Sequence, residues 1–401
     1  MGKIYKIAHV VPPYNPVPPI NSAGTETRVC NVAKHARRFK PVVYSRWFPG
    51  FLEKETIDGV DYERIKIGRF YRRLFQKIVP WDPYSFNDRV GRRIVRLRPE
   101  IVHLHNEPKL LRRMWRYVRR SGSKLVLHVA NEKEMDVRLL RHVHHFIACS
   151  QYIASWIHSE YGVTRKRIVT IYTGTDIRRI RPVWEVPDIR KAMRREFGLK
   201  EDDVVVLFAG RIVQEKGVKE LISAFTSMKE ASNGDVLKLV LAGDIRKSND
   251  PDNKKAVYGK QIQNMVKGRK DIILTDTIPP VRMPDFYTIG DVFVLPAIWN
   301  DPFPTVLVEA AAAGLPIVTT NVGGIPEFVK DKVNGIVLDD ARHISDLSNK
   351  ILMLLRNPEL ACNIARNARE AVESAFSWER VTNDLENLYL SVLHSAGFKS
   401  L

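Results

Sequence analysis

This sequence predicts an α/β protein of two doubly wound, Rossmann-like domains. Its 401 residues exceed one ordinary core, because single domains run to about 100–200 residues. Short Val- and Ile-rich runs alternate with helical patterns from end to end, and apolar runs without clean polar alternation mark strands buried on both faces, as in parallel sheets. The strand series restarts near Val204, after the charged, proline-bearing stretch "RRIRPVWEVPDIRKAMRREFGLKEDD", which reads as a linker leading into a helix.

In the first half the strands fall at "IYKIAHVV" (4–11), "PVVYS" (41–45), "IVHLH" (101–105), "KLVLHVA" (124–130), "HFIACS" (145–150) and "RIVTIY" (167–172). In the second they fall at "VVVLFAG" (204–210), "LKLVLAG" (237–243), "DIILTD" (271–276), "VFVLP" (292–296) and "PIVTT" (316–320). Helices between successive strands make βαβ units. The expected domains are 1–182 and 183–375, with a terminal helix over 376–401 packing back on the first. Two such halves facing each other form a cleft, with ligands at the carboxyl ends of the strands.

Composition narrows the functional classes. A hydrophobic fraction of 44% with 9% aromatics is that of a globular chain, not a disordered one. Cys30, Cys149 and Cys362 lie far apart with no CxxC spacing, so neither a disulfide framework nor a zinc site is expected, and free thiols fit a reducing cytoplasm. The run "IAHVV" stops at Pro12, too short for a secretory core or a membrane span. "MGKIYK" carries Lys6 where myristoylation wants Ser or Thr. The net charge of +19, concentrated in residues 64–124, favours an anionic partner: nucleic acid, membrane surface or phosphorylated substrate.

Several stretches carry chemistry. In "NDPFPTVLVEAAAAGLPIV" (300–318), Asp301 and the prolines follow a strand and precede an alanine-rich helix that stops near Gly314. Its N-terminal amides, over Phe303, Pro304, Thr305 and Val306, make an anion or hydroxyl site, and Glu309 one turn in leans toward the same mouth. In "FAGRIVQEKGVKELISAF" (208–225) a strand runs into Gly210, with Arg211 and Lys216 behind it, a pair of cations suited to a diphosphate. The Pro-rich loop "PPYNPVPPINSAGTETRVCNVAKHA" reaches Ser22 and then Gly24, which lets backbone approach a phosphate at a helix start. It is not GxGxxG, and no Walker loop occurs. His128 ends a strand, with His105 and Asn106 ending the preceding one. Gly323 and Gly324 in "NVGGIPEFV" precede a short helix and read as fold completion. Asp250 and Asp252 form a literal Asp-x-Asp, but in a polar Pro/Asn loop that reads as a surface turn rather than a metal site.

Taken together these residues resemble glycosyltransferase family 4, the retaining nucleotide-sugar transferases of GT-B fold. The likeness runs nearly the whole chain, through Gly24 and Glu26, "PEIVHLH", "TIYTGTD", "AGRIVQEKG", "LVLAGD", the acid-x7-Glu stretch, "GLPIVTTNVGGIPEFV", "NGIVL" and "FSWERVTNDLENLY". The resemblance implies that Arg211 and Lys216 hold the donor diphosphate, that Glu309 accepts the ribose hydroxyls, and that Asp301 contacts the donor sugar. It also implies that the 303–306 amides face sugar and phosphate, that Gly24 approaches the phosphate, that His128 touches the sugar, and that the base rests near Thr277 and Ile278. It implies a nucleoside-diphosphate sugar as donor substrate, no separate cofactor and no metal. Asp301 stands where the family usually has Glu, one methylene shorter, and Ala23–Gly24 where paired glycines are common.

In "GRFYRRLFQKIVP" (68–80), Phe70, Leu74 and Ile78 recur at helical spacing among Arg69, Arg72, Arg73 and Lys77. A basic amphipathic helix suits an anionic membrane surface. It lies in the first domain, where the resembled family meets its acceptor, so the resemblance implies a glycan or lipid-linked acceptor in envelope or cell-surface polysaccharide synthesis. The expected location is the cytoplasm, peripheral at the inner face of the membrane. Two alternatives compete: a nucleotide-sugar 2-epimerase on the same fold, and a non-catalytic basic protein binding membrane or nucleic acid. No helix-turn-helix, RNP-like or zinc-finger pattern appears, so nucleic acid is not an expected partner.

Overall fold

The computed structural model describes residues 3–20, 23–75, 82–230, 236–245 and 253–394. Ser22, the distal end of the basic 68–80 stretch with Lys77 and Ile78, and the Asp250–Asp252 pair lie outside the described residues. The chain divides into two compact units, Met1–Thr173 with Trp378–Leu401, and Gly174–Ser377.

The first unit holds strands β1 (Tyr5–Val10), β2 (Phe39–Arg46), β3 (Lys54–Ile57), β4 (Val60–Ile65), β5 (Ile101–His105), β6 (Lys124–Val129), β7 (His145–Ala148) and β8 (Ile168–Thr170). Its helices are α1 (Gly24–Lys34), α2 (Arg69–Arg73), α3 (Phe86–Leu97), α4 (Leu111–Ser121), α5 (Val137–Leu140) and α6 (Gln151–Tyr161). The sheet order is β3-β4-β2-β1-β5-β6-β7-β8, parallel throughout except for the antiparallel β3–β4 hairpin. That hairpin turns on Asp58 and Gly59, at φ +50° and +78°, the pair of positive dihedrals a two-residue hairpin loop requires. Strand order reverses between β1 and β5, the switch point at which doubly wound sheets bind ligands.

The second unit holds α7 (Pro187–Glu196), β9 (Val204–Ala209), α8 (Val218–Glu230), β10 (Leu237–Ala242), α9 (Lys254–Val266), β11 (Ile272–Thr275), α10 (Met283–Phe286) and β12 (Val292–Leu295). These are followed by α11 (Thr305–Ala312), β13 (Ile317–Thr320), α12 (Ile325–Phe328), β14 (Ile336–Leu338), α13 (Ile344–Arg356) and α14 (Pro358–Ala375). All six strands are parallel in the order β11-β10-β9-β12-β13-β14, so the switch point lies between β9 and β12. Every residue of β12 is fully buried, as its unbroken "VFVL" demands. The expected boundary at 182/183 falls inside this unit. The reason is backbone pairing: Thr175 N–H donates to Phe376 O at 2.7 Å and Val183 N–H to Ala313 O at 2.9 Å. The Arg369 guanidinium adds bonds to the carbonyls of Ile177 and Ile180.

The final helix, α15 (Trp378–His394), belongs to the first unit. Its Trp378, Val381, Leu385, Leu388, Tyr389 and Val392 pack on Ile7, Ile101, Val126 and Ile147 of the central strands. Glu386 fixes its other side by accepting from the backbone N–H groups of Arg37 and Arg38, each at 2.8 Å. Among the described residues no helix is long and apolar enough to cross a membrane.

Candidate active site

At the switch point of the second unit, three loops converge because glycines let their backbones touch. Gly210 ends β9 at φ +151°, and a Cβ on Gly243, just after β10, would lie 1.8 Å from the Gly210 carbonyl oxygen. Gly217 stands at φ +68°, where a Cβ would come within 1.9 Å of Pro296 O, so the loop after β9 lies directly on the loop after β12. Ile298 N–H donates to Glu215 O at 3.1 Å and ties the two together. Only glycine fits such positions, since a side chain would meet backbone that has nowhere to go.

This contact brings Lys216 to Asp301, and the ammonium and carboxylate form a hydrogen-bonded ion pair. Both side chains are mostly buried, at 14% and 12% exposure, so the pair is poorly screened. Arg211, on the same loop, is exposed and makes no ion pair among the described residues. Asp301 is held from behind as well. Its carbonyl accepts from Gly324 N–H at 2.8 Å, and a Cβ on Gly323 (φ +58°) would lie 2.2 Å from that same oxygen. Gly323 and Gly324 thus do more than complete the fold: they clasp the backbone that carries Asp301.

Helix α11 starts with Pro304 as its cap residue and no side-chain capping bond. Leu307, Val308, Ala310, Ala311 and Ala312 are buried, and Gly314 ends the helix at φ +71° with Leu315 N–H returning to Ala310 O at 3.1 Å. Glu309 is half-buried in this apolar setting, and its partner is Tyr287, whose hydroxyl donates to Glu309 Oε2 at 2.7 Å. Burial raises the Glu309 pKa above the usual 4.5, while the tyrosine hydrogen bond pulls the other way. Burial next to that carboxylate pushes the Tyr287 phenol well above its ordinary range. Thr277 (exposed) and Ile278 (half-buried) occupy the loop after β11, at the same carboxyl edge of the sheet.

Two of the sequence expectations change here. Pro304 has no N–H, so the amide row at this helix start comes from Phe303, Thr305 and Val306. The Phe303 ring does not face solvent: it stacks on Phe376 with centroids 5.8 Å apart and is 9% exposed.

The first unit has its own carboxyl-edge cluster. Gly24 begins α1 with open space where a Cβ would be, and Glu26 behind it is buried and accepts from Asn15 Nδ2 at 3.1 Å. Glu107, just past β5, is buried and accepts from the Tyr14 hydroxyl at 3.1 Å and from Lys133 Nζ at 3.4 Å. Asn106 stands at φ +46°, with its side chain accepting from Ala130 N–H at 3.0 Å. A non-glycine residue held in that region is strained, and such strain concentrates at functional sites.

Family comparison agrees with this arrangement. Residues 22–179 match Glycosyltransferase Family 4, and residues 189–371 match Glycosyl transferases group 1. The chain belongs to the family 4 type of glycosyltransferases. It is 29% identical over 388 residues to lipopolysaccharide 1,2-N-acetylglucosaminetransferase of Salmonella typhimurium, covering 96% of this chain and 97% of that one. It is 27% identical over 396 residues to spore coat protein SA of Bacillus subtilis, covering 96% and 99%. Among solved structures, a glycosyltransferase from Rickettsia africae superposes with a TM-score of 0.78 at 16% identity, over 98% of this chain and all (100%) of the other. Anabaena HepE in complex with UDP-glucose superposes with a TM-score of 0.75 at 19% identity, over 96% and 100%. These fix the fold as GT-B. Within this family 4 chain, His128 is 1% exposed near the end of β6, so its ring is reached only if the neighbouring chain moves. Tyr287 was missed because nothing local marks it, and Gly323 was read only as fold completion because its contact lies on another segment.

Proposed function

We propose that this glycosyltransferase uses a nucleoside-diphosphate sugar as donor and transfers its sugar, with retention of configuration, to a hydroxyl of a glycan or lipid-linked acceptor in envelope glycan synthesis. The observation that carries the reading is the set of charges at the β9/β12 switch point: Arg211 without an ion pair among the described residues, Lys216 on Asp301, and the amides opening α11 beside them. A diphosphate arriving there competes with Asp301 for Lys216 and adds Arg211 as a second cation. Fixed positive charge and a helix N-terminus stabilise the developing negative charge of the leaving group, which is what this chemistry most needs. Those groups supply the stabilisation from the chain itself, without a metal. Asp301, released from Lys216, accepts from the donor sugar's hydroxyls, and Glu309, steadied by Tyr287, accepts from the ribose. The base lies along Thr277 and Ile278. Attack by the acceptor hydroxyl from the face the leaving group departs gives retention.

The reading is tested by incubating the chain with a panel of nucleotide sugars and envelope-type acceptors, without added Mg²⁺ or Mn²⁺, and following nucleoside diphosphate release. Release that depends on acceptor, with an NMR-assigned product of retained anomeric configuration, is expected. Donor turnover without acceptor would indicate an epimerase instead.

The acceptor side is read from charge. Helices α3 and α4 pack together and expose Arg92, Arg96, Arg112, Arg116, Arg119 and Arg120, and Phe70 nearby in sequence is 80% exposed. A cationic face with an aromatic fits anionic headgroups. Flotation with anionic vesicles at low salt checks this, and failure to bind would remove the membrane from the account.

A further inference from the structure

Four histidines, widely separated in sequence, meet on one face of the first unit's sheet. His9 on β1 is in register with His103 on β5, and His105, two residues along, is in register with His128 on β6. Residues paired across strands or two apart along one share a face, so all four imidazoles line the surface that α15 covers. The site lies among apolar side chains, and all four residues are at most 1% exposed.

A core built only for packing would carry aliphatic residues here. Instead His9 Nδ1 lies 2.9 Å from His105 Nε2, and His103 Nδ1 lies 2.7 Å from the Tyr389 hydroxyl. His103 Nε2, His105 Nδ1 and both ring nitrogens of His128 have no hydrogen-bond partner among the described residues. Buried polar atoms left in that state are costly and call for a bound ion or ordered water. One nitrogen each from His9, His103 and His105 falls within 4.8 Å of the other two. Around a tetrahedral ion with bonds of about 2.0–2.1 Å, ligand nitrogens stand about 3.3 Å apart, so the His9–His105 pair is already that close and the third ring must draw in from within 4.8 Å.

We propose that His9, His103 and His105 bind a Zn²⁺ ion, with His128 as the fourth imidazole beside them. Tyr389 orients the first shell: with His103 Nδ1–H directed to its oxygen, the Nε2 lone pair faces the ion. Arg28 opposes the ion. Its buried guanidinium acts on all four rings and is bound to carbonyls of Ile171 and Tyr172 rather than to a carboxylate, so the site is weaker than a thiolate one. The ion's role is to tie β1 to β5, with Tyr389 of α15 holding one of its ligands, and it takes no part in the transfer reaction.

The test is metal analysis of the full-length chain, loaded with Zn²⁺ and passed over a chelating resin. About one zinc per chain is expected in the wild type and in a His142→Asn control outside the cluster, with near-complete loss in His105→Asn. If His105→Asn does not fold, Co²⁺ added to metal-free wild type decides by the visible bands of a tetrahedral nitrogen site, together with a rise in Tm on adding Zn²⁺. Zinc-free wild type with no Co²⁺ bands and an unmoved Tm, zinc retained by a folded His105→Asn, or only ordered water among the rings in a crystal would each overturn the proposal.

Discussion

Glu309 sits in a run of alanines and aliphatics where a lone carboxylate would be costly, and the Tyr287 hydroxyl answers that cost. Replacing Tyr287 by Phe leaves the carboxylate without its donor, and a loss of about 1–3 kcal/mol is expected in chemical denaturation. The sign of the pH effect follows from the raised Glu309 pKa. A carboxyl whose pKa is higher folded than unfolded favours the native state while protonated and loses that advantage as pH rises through the folded value. Ribose recognition, in contrast, needs the ionised form as acceptor. Donor affinity is therefore expected to fall on acidification with a midpoint above 4.5, and Glu309→Gln is expected to flatten that profile in titrations across pH. At Asp301 the same scale shows what the sequence could tell. Its position after a strand and before a helix was legible, but its bond to Lys216, 85 residues away, depends on which loops the sheet order places together.

At the level of elements, the glycine contacts around Asp301 are the most exposed to test. Gly323→Ala puts a Cβ 2.2 Å from the Asp301 carbonyl at a positive φ, so both the contact and the dihedral are strained. A loss of roughly 2–4 kcal/mol is expected, since the backbone must both shift and hold a strained dihedral. If the variant stays folded, donor binding weakens as Asp301 is displaced, which calorimetry reads directly. Strands such as β9, β10 and β12 could be read from sequence because "VVVLFA", "LKLVLA" and "VFVL" are buried on both faces and carry no charge that competes, apart from one lysine, whereas the three-residue β14 was too short to read. The β3–β4 hairpin was not read, because Lys54, Glu55, Asp61, Glu63 and Arg64 mask its alternation at the sheet edge. Its Asp58–Gly59 turn was the available signal. The histidine array was illegible for another reason: each histidine stands in an ordinary strand, and only the register of three strands assembles them.

For the whole molecule, chain order and compact units do not coincide, since α15 returns to the first unit after the second is complete. Truncation after Ser377 strips Trp378, Val381, Leu385, Leu388, Tyr389 and Val392 from that core. At about 1.5–3 kcal/mol for each large apolar side chain buried, the loss reaches the total stability of an ordinary domain. Loss of the first unit's near-UV dichroism is expected, with the second unit's fold retained. The central claim is that the β9/β12 switch point holds a nucleoside-diphosphate sugar, and isothermal calorimetry on the full chain tests it most directly. Wild type is expected to bind at least one such donor. Arg211→Ala should weaken it about 10–100-fold, as loss of a charged hydrogen bond implies. Glu309→Ala should weaken the nucleotide but not inorganic pyrophosphate. Wild type that binds no nucleoside-diphosphate sugar, or an Arg211→Ala variant that binds one unchanged, would contradict the account.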